Sequence, residues 1–261
     1  MKKVTSKDGT TIAFDQAGQG PAIILVDGAL CYRTFGPMGP LAALLAPHFT
    51  VINYDRRGRG DSGDRKPYTV EREVEDIEAL INQAGGSAFL FGTSSGGCLA
   101  LEAAIQLGNK VKGLAMWEPP YNSDPATRQE WKDYWKQLAE LLAAGRRGDA
   151  VVLFMKFVGT PADQIDGMRQ APMWPMFETV APTLVYDAAA TGGDDRTVPT
   201  ERAARVTRPT LVMNGTVIPF MLATATALAK AMPHAQQRTL EGQSHDVNLE
   251  VLAPVLVEFF I

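Results

Sequence analysis

Apolar and polar positions along the first 120 residues sort into two kinds of segment. Four short, continuous apolar runs read as strands buried on both faces: residues 22–26 (Ala-Ile-Ile-Leu-Val), 49–54, 88–91 and 111–117. Between them the apolar positions take up helical spacing. Val74, Ile77, Leu80 and Ile81 predict a helix over 71–83, stopped by Gly85-Gly86. A shorter helix over 41–46 is ended by Pro47, and another follows Ser94 to about Leu107. At the start, residues 3–6 and 10–16 read as a β-hairpin around Lys7-Asp8-Gly9.

The alternation stops near Tyr121. No buried strand is predicted from there to Arg205. Helices are expected over 131–142, which is rich in aromatics, over 150–157 and over 179–190. A strand at 209–214, a helix at 221–232, a strand at 236–240 and a helix at 249–260 then resume the pattern. Strands alternating with helices call for an α/β fold, a mostly parallel sheet with helices on both faces. The expected division is a core of residues 1–120 and 206–261, with a helical cap of residues 121–205 over the carboxyl ends of the strands.

Composition narrows the class. The chain has 261 residues, 46% hydrophobic and 21% charged, which is ordinary for a globular protein with a full core. The net charge of −4 and the short basic clusters give no reason to expect nucleic acid or an anionic membrane as partner. No apolar stretch approaches the ~18 residues that span a bilayer, and no apolar run follows Lys2-Lys3 as in a secretory signal. The two cysteines, Cys31 and Cys98, read as reduced thiols, and a cytoplasmic location is expected. No His-x-x-x-His, Cys-x-x-Cys or carboxylate cluster suggests a metal, and no glycine-rich nucleotide motif opens a helix after the first buried strand. The expected partner is therefore a small-molecule substrate, without metal or cofactor, with a homodimer left open.

The candidate chemistry centres on Gly92-Thr93-Ser94-Ser95-Gly96-Gly97, a Gly-x-Ser-x-Gly pattern between an apolar run and a good helix former. A sharp strand-to-helix turn pushes its central residue outward, and the flanking glycines keep the neighbouring chain clear of it. Ser94 is the candidate nucleophile. The N–H of Ser95, at a helix N-terminus, is a candidate oxyanion donor. A serine hydroxyl needs a base, and the chain has three histidines. His48 and His234 precede strands, on the side of the sheet away from the carboxyl ends where such sites lie. His245 follows the last strand in a polar loop.

The order of elements resembles the α/β-hydrolase family across nearly the whole chain. The landmarks are Ile24-Leu25-Val26-Asp27-Gly28, Asp55-Arg56-Arg57-Gly58-Arg59-Gly60-Asp61-Ser62, the Ser94 motif, and Glu241-Gly242-Gln243-Ser244-His245. The resemblance implies an eight-stranded sheet, a nucleophile–acid–base triad with His245 as base, and a cap that shapes substrate choice. The aspartate that most relatives carry after the post-cap strand is replaced here by Ile218. Either the triad is broken or the acid comes from another strand. Some family members supply it from the strand after the nucleophile helix, where this chain has Glu118. Competing readings are that Glu118 pairs with a cap arginine, or that Asp246, Asp194 or Asp195 serves as the acid. Where relatives usually carry His-Gly, this chain has Asp27-Gly28. Ala29 is then the expected second oxyanion donor through its N–H, with Asp27 supporting the loop. The arginine-rich segment is expected to tie its loop to neighbouring turns. Cap and post-cap aromatics, with Leu30, Trp135 and Phe220 as the substrate-binding candidates, favour an uncharged, fairly apolar substrate.

The expected activity is serine hydrolysis of a small or medium apolar ester, thioester or lactone through an acyl-enzyme. Two alternatives stand beside it. One is C–C bond hydrolysis, lyase or acyl-transfer chemistry by the same triad, and the other is a small-molecule sensor on a hydrolase scaffold.

Overall fold

The computed structural model describes residues 1–261. Eight strands form one sheet: β1 (Lys2–Thr5), β2 (Thr11–Ala17), β3 (Ala22–Val26), β4 (Thr50–Tyr54), β5 (Ala88–Thr93), β6 (Val111–Trp117), β7 (Thr210–Asn214) and β8 (Ala235–Thr239). Their spatial order is β1-β2-β4-β3-β5-β6-β7-β8. The hairpin β1–β2 is antiparallel and β2 meets β4 antiparallel, while every other pairing is parallel. The fold is the mostly parallel, helix-covered α/β sheet that the strand pattern called for, with the eight strands that the family resemblance implied.

The alternation within each strand divides the core into two layers. In β3 all five residues are buried; Ala22, Ile24 and Val26 face one layer, Ile23 and Leu25 the other. The first layer is closed by α2 (Val70–Gln83), α3 (Ser95–Leu107) and α10 (Pro219–Ala231), through residues such as Ile77, Leu99 and Leu228. The second is closed by α1 (Met38–Leu45) and α11 (Leu249–Phe260), through Leu41, Leu252 and Phe260. Each such large side chain taken from water contributes about 1.5–3 kcal/mol, so the strands are held where burial on both faces is greatest.

Between β6 and β7 the chain inserts six helices: α4 (Arg128–Ala143), α5 (Arg147–Phe157), α6 (Ala162–Gln170), α7 (Trp174–Val180), α8 (Leu184–Ala190) and α9 (Thr200–Ala203). The cluster of Trp131, Tyr134, Leu138, Val151 and Leu184 joins α4, α5 and α8, and Leu30 from the core packs into it. Two expectations change here. The helix expected over 179–190 is broken into α7, a 3₁₀ turn (Ala181–Thr183) and α8, because Pro182 has no N–H to continue an α-helix. And α6, polar apart from Ile165 and Met168, carries too few apolar residues to show a helical stripe. No helix is long and apolar enough to cross a membrane.

Candidate active site

Ser94 stands between β5 and α3 with φ 54° and ψ −131°. An L-residue holds that conformation only when its surroundings over-determine it. The Ser94 N–H donates to Trp117 O (2.9 Å), and its carbonyl accepts from the Gly97 N–H (2.9 Å). A Cβ on Gly92 would strike the Gly96 carbonyl, and one on Gly96 would strike the Val26 and Asp27 carbonyls. The glycines are thus required by the closeness of α3 to β5 and β3. Ser95, the first residue of α3, presents one of the four N–H groups that have no intrahelical acceptor.

His245 lies in the loop between β8 and α11, with its carbonyl held by the Trp117 indole N–H (2.9 Å). Its Nδ1 is 2.7 Å from Glu118 Oε2. An ionised carboxylate accepts only, so this contact assigns the proton to Nδ1 and leaves Nε2 as the lone-pair nitrogen. Glu118 is fully buried at the end of β6 with φ 44°, and its N–H is tied to Met213 O (3.0 Å). Its second oxygen, Oε1, accepts from the Gly215 N–H at 2.9 Å. Glu118 therefore meets histidine and a backbone amide, not a cap arginine. The β7 loop, where Ile218 replaces the customary aspartate, contributes an N–H that orients the carboxylate of the neighbouring strand. Asp246 lies on the cavity wall without a hydrogen bond to His245, and Asp194 and Asp195 sit in the exposed turn before α9.

Ser94 and His245 line a single cavity of about 880 Å³ beneath the inserted helices. No hydrogen bond joins the Ser94 hydroxyl to the imidazole. Contacts of this kind are commonly long in a free enzyme and tighten with substrate. The β3 loop forms the opposite wall through Asp27, Gly28, Ala29 and Leu30. Gly28 packs so closely that an added Cβ would lie 3.2 Å from Ser94 Cβ. The N–H of Ala29 has no acceptor within the protein. Leu30, at φ 61°, turns the chain away toward the cap. Phe220 is also on the wall. Trp135 is not, which corrects that candidate: one position beyond Tyr134 on α4, it is turned about 100° around the helix and packs within the cap cluster. Trp131 and Tyr134 face the cavity instead.

A buried charge network lies beneath this loop. Arg56 donates to Glu73 (2.7 and 2.8 Å), to Asp187 (2.6 Å) and to the Asp27 carbonyl (3.2 Å). Arg59 donates to Asp187 (2.7 Å) and to the Gly28 and Cys31 carbonyls. Asp187, on α8, also accepts from the Ser95 hydroxyl at 2.7 Å. The two arginines hold the Asp187 carboxyl below its ordinary range although burial opposes them. No sequence motif marks Asp187; its one local signal is a lone acid in the otherwise largely apolar α8. Asp27, fully buried, bonds the Gly28 N–H (3.0 Å) through Oδ1, while Oδ2 has no hydrogen-bond partner. Burial pushes its carboxyl up to about 7. Burial likewise pushes the Cys31 thiol up, away from thiolate chemistry. No group of three His, Cys, Asp or Glu side chains converges as a metal site.

A model of the alpha/beta hydrolase family matches residues 17–257. An alpha/beta hydrolase from Sphaerobacter thermophilus DSM 20745 is 51% identical over 100% of both chains, with a TM-score of 0.87. The enol-lactonase from Burkholderia xenovorans LB400 shares the fold at 21% identity, covering 99% of each chain, with a TM-score of 0.67. A pimeloyl-[acyl-carrier protein] methyl ester esterase from Xanthomonas oryzae pv. oryzae is 38% identical over 103 residues, 39% of this chain and 38% of that protein. The matched segments span between 29% and 42% of the length of such curated relatives.

Proposed function

This chain belongs to the alpha/beta hydrolase family, and from that premise we propose that it is a serine hydrolase of small to medium esters, thioesters or lactones, with Ser94, His245 and Glu118 as its triad. The observation that carries the reading is the 2.7 Å contact from His245 Nδ1 to a buried glutamate, in the cavity that also exposes Ser94. A histidine bound at Nδ1 offers Nε2 as base. Glu118 holds that tautomer and stabilises the imidazolium formed when the serine proton moves.

Ser94 Oγ attacks the substrate carbonyl as His245 Nε2 takes its proton. The tetrahedral oxyanion forms beside the N–H groups of Ser95 and Ala29, which have no competing acceptor to release and so need no reorganisation. His245 returns the proton to the leaving oxygen or sulfur. Water, deprotonated by the same nitrogen, then cleaves the acyl-enzyme. The largely apolar wall, including Leu30, Trp131, Tyr134 and Phe220, supplies binding to hydrocarbon parts of the substrate.

A fluorophosphonate probe and short p-nitrophenyl esters test the reading together. The unaltered protein is expected to be labelled at Ser94 and to turn over the esters, and Ser94→Ala to do neither while melting at the same temperature. A folded protein that resists the probe at Ser94 would overturn the triad and leave the sensor alternative.

A further inference from the structure

The cavity wall carries four acids, Asp27, Glu130, Asp187 and Asp246, and a single arginine or lysine, Arg196, which takes no part in the chemistry above. Arg196 lies between α8 and α9, partly buried, and lines the same cavity as Ser94 and His245. Its Nε donates to the Pro120 carbonyl, and its two Nη groups have no acceptor in the protein. The rings of Trp131, Phe157 and Phe220 surround the guanidinium, with centroids 5.0, 5.3 and 5.5 Å from Cζ. Glu130, an exposed acid on the same cavity wall, acts on it through space but makes no ion pair with it. Burial pushes Arg196 down to about 10, so at neutral pH it remains a cation.

The other arginines set into this protein are treated differently. Arg56, Arg57 and Arg59, all fully buried, each have carboxylate partners. That is the usual condition for a charge withdrawn from water. Arg196 has aromatic faces and one carbonyl instead. Three rings pack around the guanidinium and the Pro120 carbonyl holds its Nε, which leaves both Nη groups free for a ligand. The partner such donors fit best is a carboxylate, bound through two parallel N–H···O bonds.

Resting on the hydrolase reading, we propose that Arg196 is the specificity-determining residue for an anionic substrate: an ester or lactone that carries a free carboxylate besides its scissile group. The carboxylate pairs with the Nη groups while the carbonyl lies at Ser94. The substrate keeps the apolar character expected from the aromatics but is not uncharged.

The test compares each of two half-acids with its own methyl ester. The first is the p-nitrophenyl half-ester of adipic acid, with the carboxylate on the acyl side. The second is 4-(hexanoyloxy)benzoate, with it on the alcohol side. The unaltered protein is expected to favour at least one half-acid by about tenfold or more in kcat/KM. In Arg196→Gln that preference collapses, chiefly through KM, and Arg196→Lys, which keeps the charge, recovers part of it. No preference in the unaltered protein, or equal losses on acid and methyl ester in Arg196→Gln, overturns the proposal. Failure of the hydrolase reading looks different: no ester is cleaved and Ser94 is not labelled. Calorimetric binding of adipate still reads the subsite in that event. Affinity about tenfold weaker in folded Arg196→Gln supports it, and equal affinity or no binding overturns it.

Discussion

Leu30, Ser94 and Glu118 are the three non-glycine residues with positive φ in this chain, at 61°, 54° and 44°. Two line the cavity and the third holds the histidine at its edge. Strain in an L-residue costs about 1–3 kcal/mol and survives where other contacts over-determine it. For Glu118 those contacts are the N–H to Met213 O, Oε1 to Gly215 and Oε2 to His245. Glu118→Gln retains the volume and an oxygen for Gly215, but its NH2 then faces Nδ1 and donates where the carboxylate accepted. Turnover of p-nitrophenyl esters is expected to fall by about 10³-fold or more with little change in melting temperature. Near-normal kcat would show that His245 is oriented by something else. The sequence made Ser94 and His245 legible by motif and by elimination among three histidines. The contact of Glu118 with His245 was legible only by analogy with relatives, because nothing local distinguishes a carboxylate that meets a histidine from one that merely ends a strand.

At the scale of elements, the site is made by junctions. Helix α8 brings Asp187 down onto Arg56 and Arg59 from the β4 loop and onto Ser95 at the start of α3. Arg59 in turn holds the Gly28 carbonyl, in the loop that presents the Ala29 N–H. Removing one member of a buried ionic cluster leaves its partners uncompensated, which costs about 3–5 kcal/mol. Asp187→Ala is expected to lower stability by that order in urea unfolding, and also to lower kcat as the β3 loop loses its tether. A loss under about 1 kcal/mol would mean that water replaces the carboxylate and that the network is not closed. Helical spacing located α2 and α4 because each has an apolar face, while α3, buried almost all round, was marked by its helix-forming residues after the Ser94 turn. It did not separate Trp135 from Trp131 and Tyr134, since three aromatics within five mid-helix positions differ only in which way each points around the helix.

For the whole molecule, the consequence of burying Asp27 is a dependence of stability on pH. Its carboxyl titrates near 7 in the folded protein against 3.8 for an unburied aspartate, with burial as the cause. Between those values the native state binds a proton that the unfolded chain has released, so stability falls as pH rises through that window. Asp27→Asn, neutral throughout, is expected to lose this slope. Its stability relative to the unaltered protein should therefore climb between pH 5 and about 7.5 in denaturant titrations. A difference that stays constant across that range would show that Asp27 is ionised in the fold at both ends. Asp76, raised to about 6 by burial, adds a slope of the same sign in both proteins.

The order of strands and helices, the Ser94 turn and the family were determined by the sequence alone, because they depend on local periodicity and on glycines adjacent in the chain. Tertiary structure decided which carboxylate meets His245, where Asp187 closes the arginine cluster, and that Arg196 stands among aromatic rings on the cavity wall without an ion pair. The His245 and Asp187 pairings join residues 92 to 131 positions apart. Their energies depend on burial and on partners within a few ångströms, and neither is encoded in the neighbourhood of any one residue along the chain.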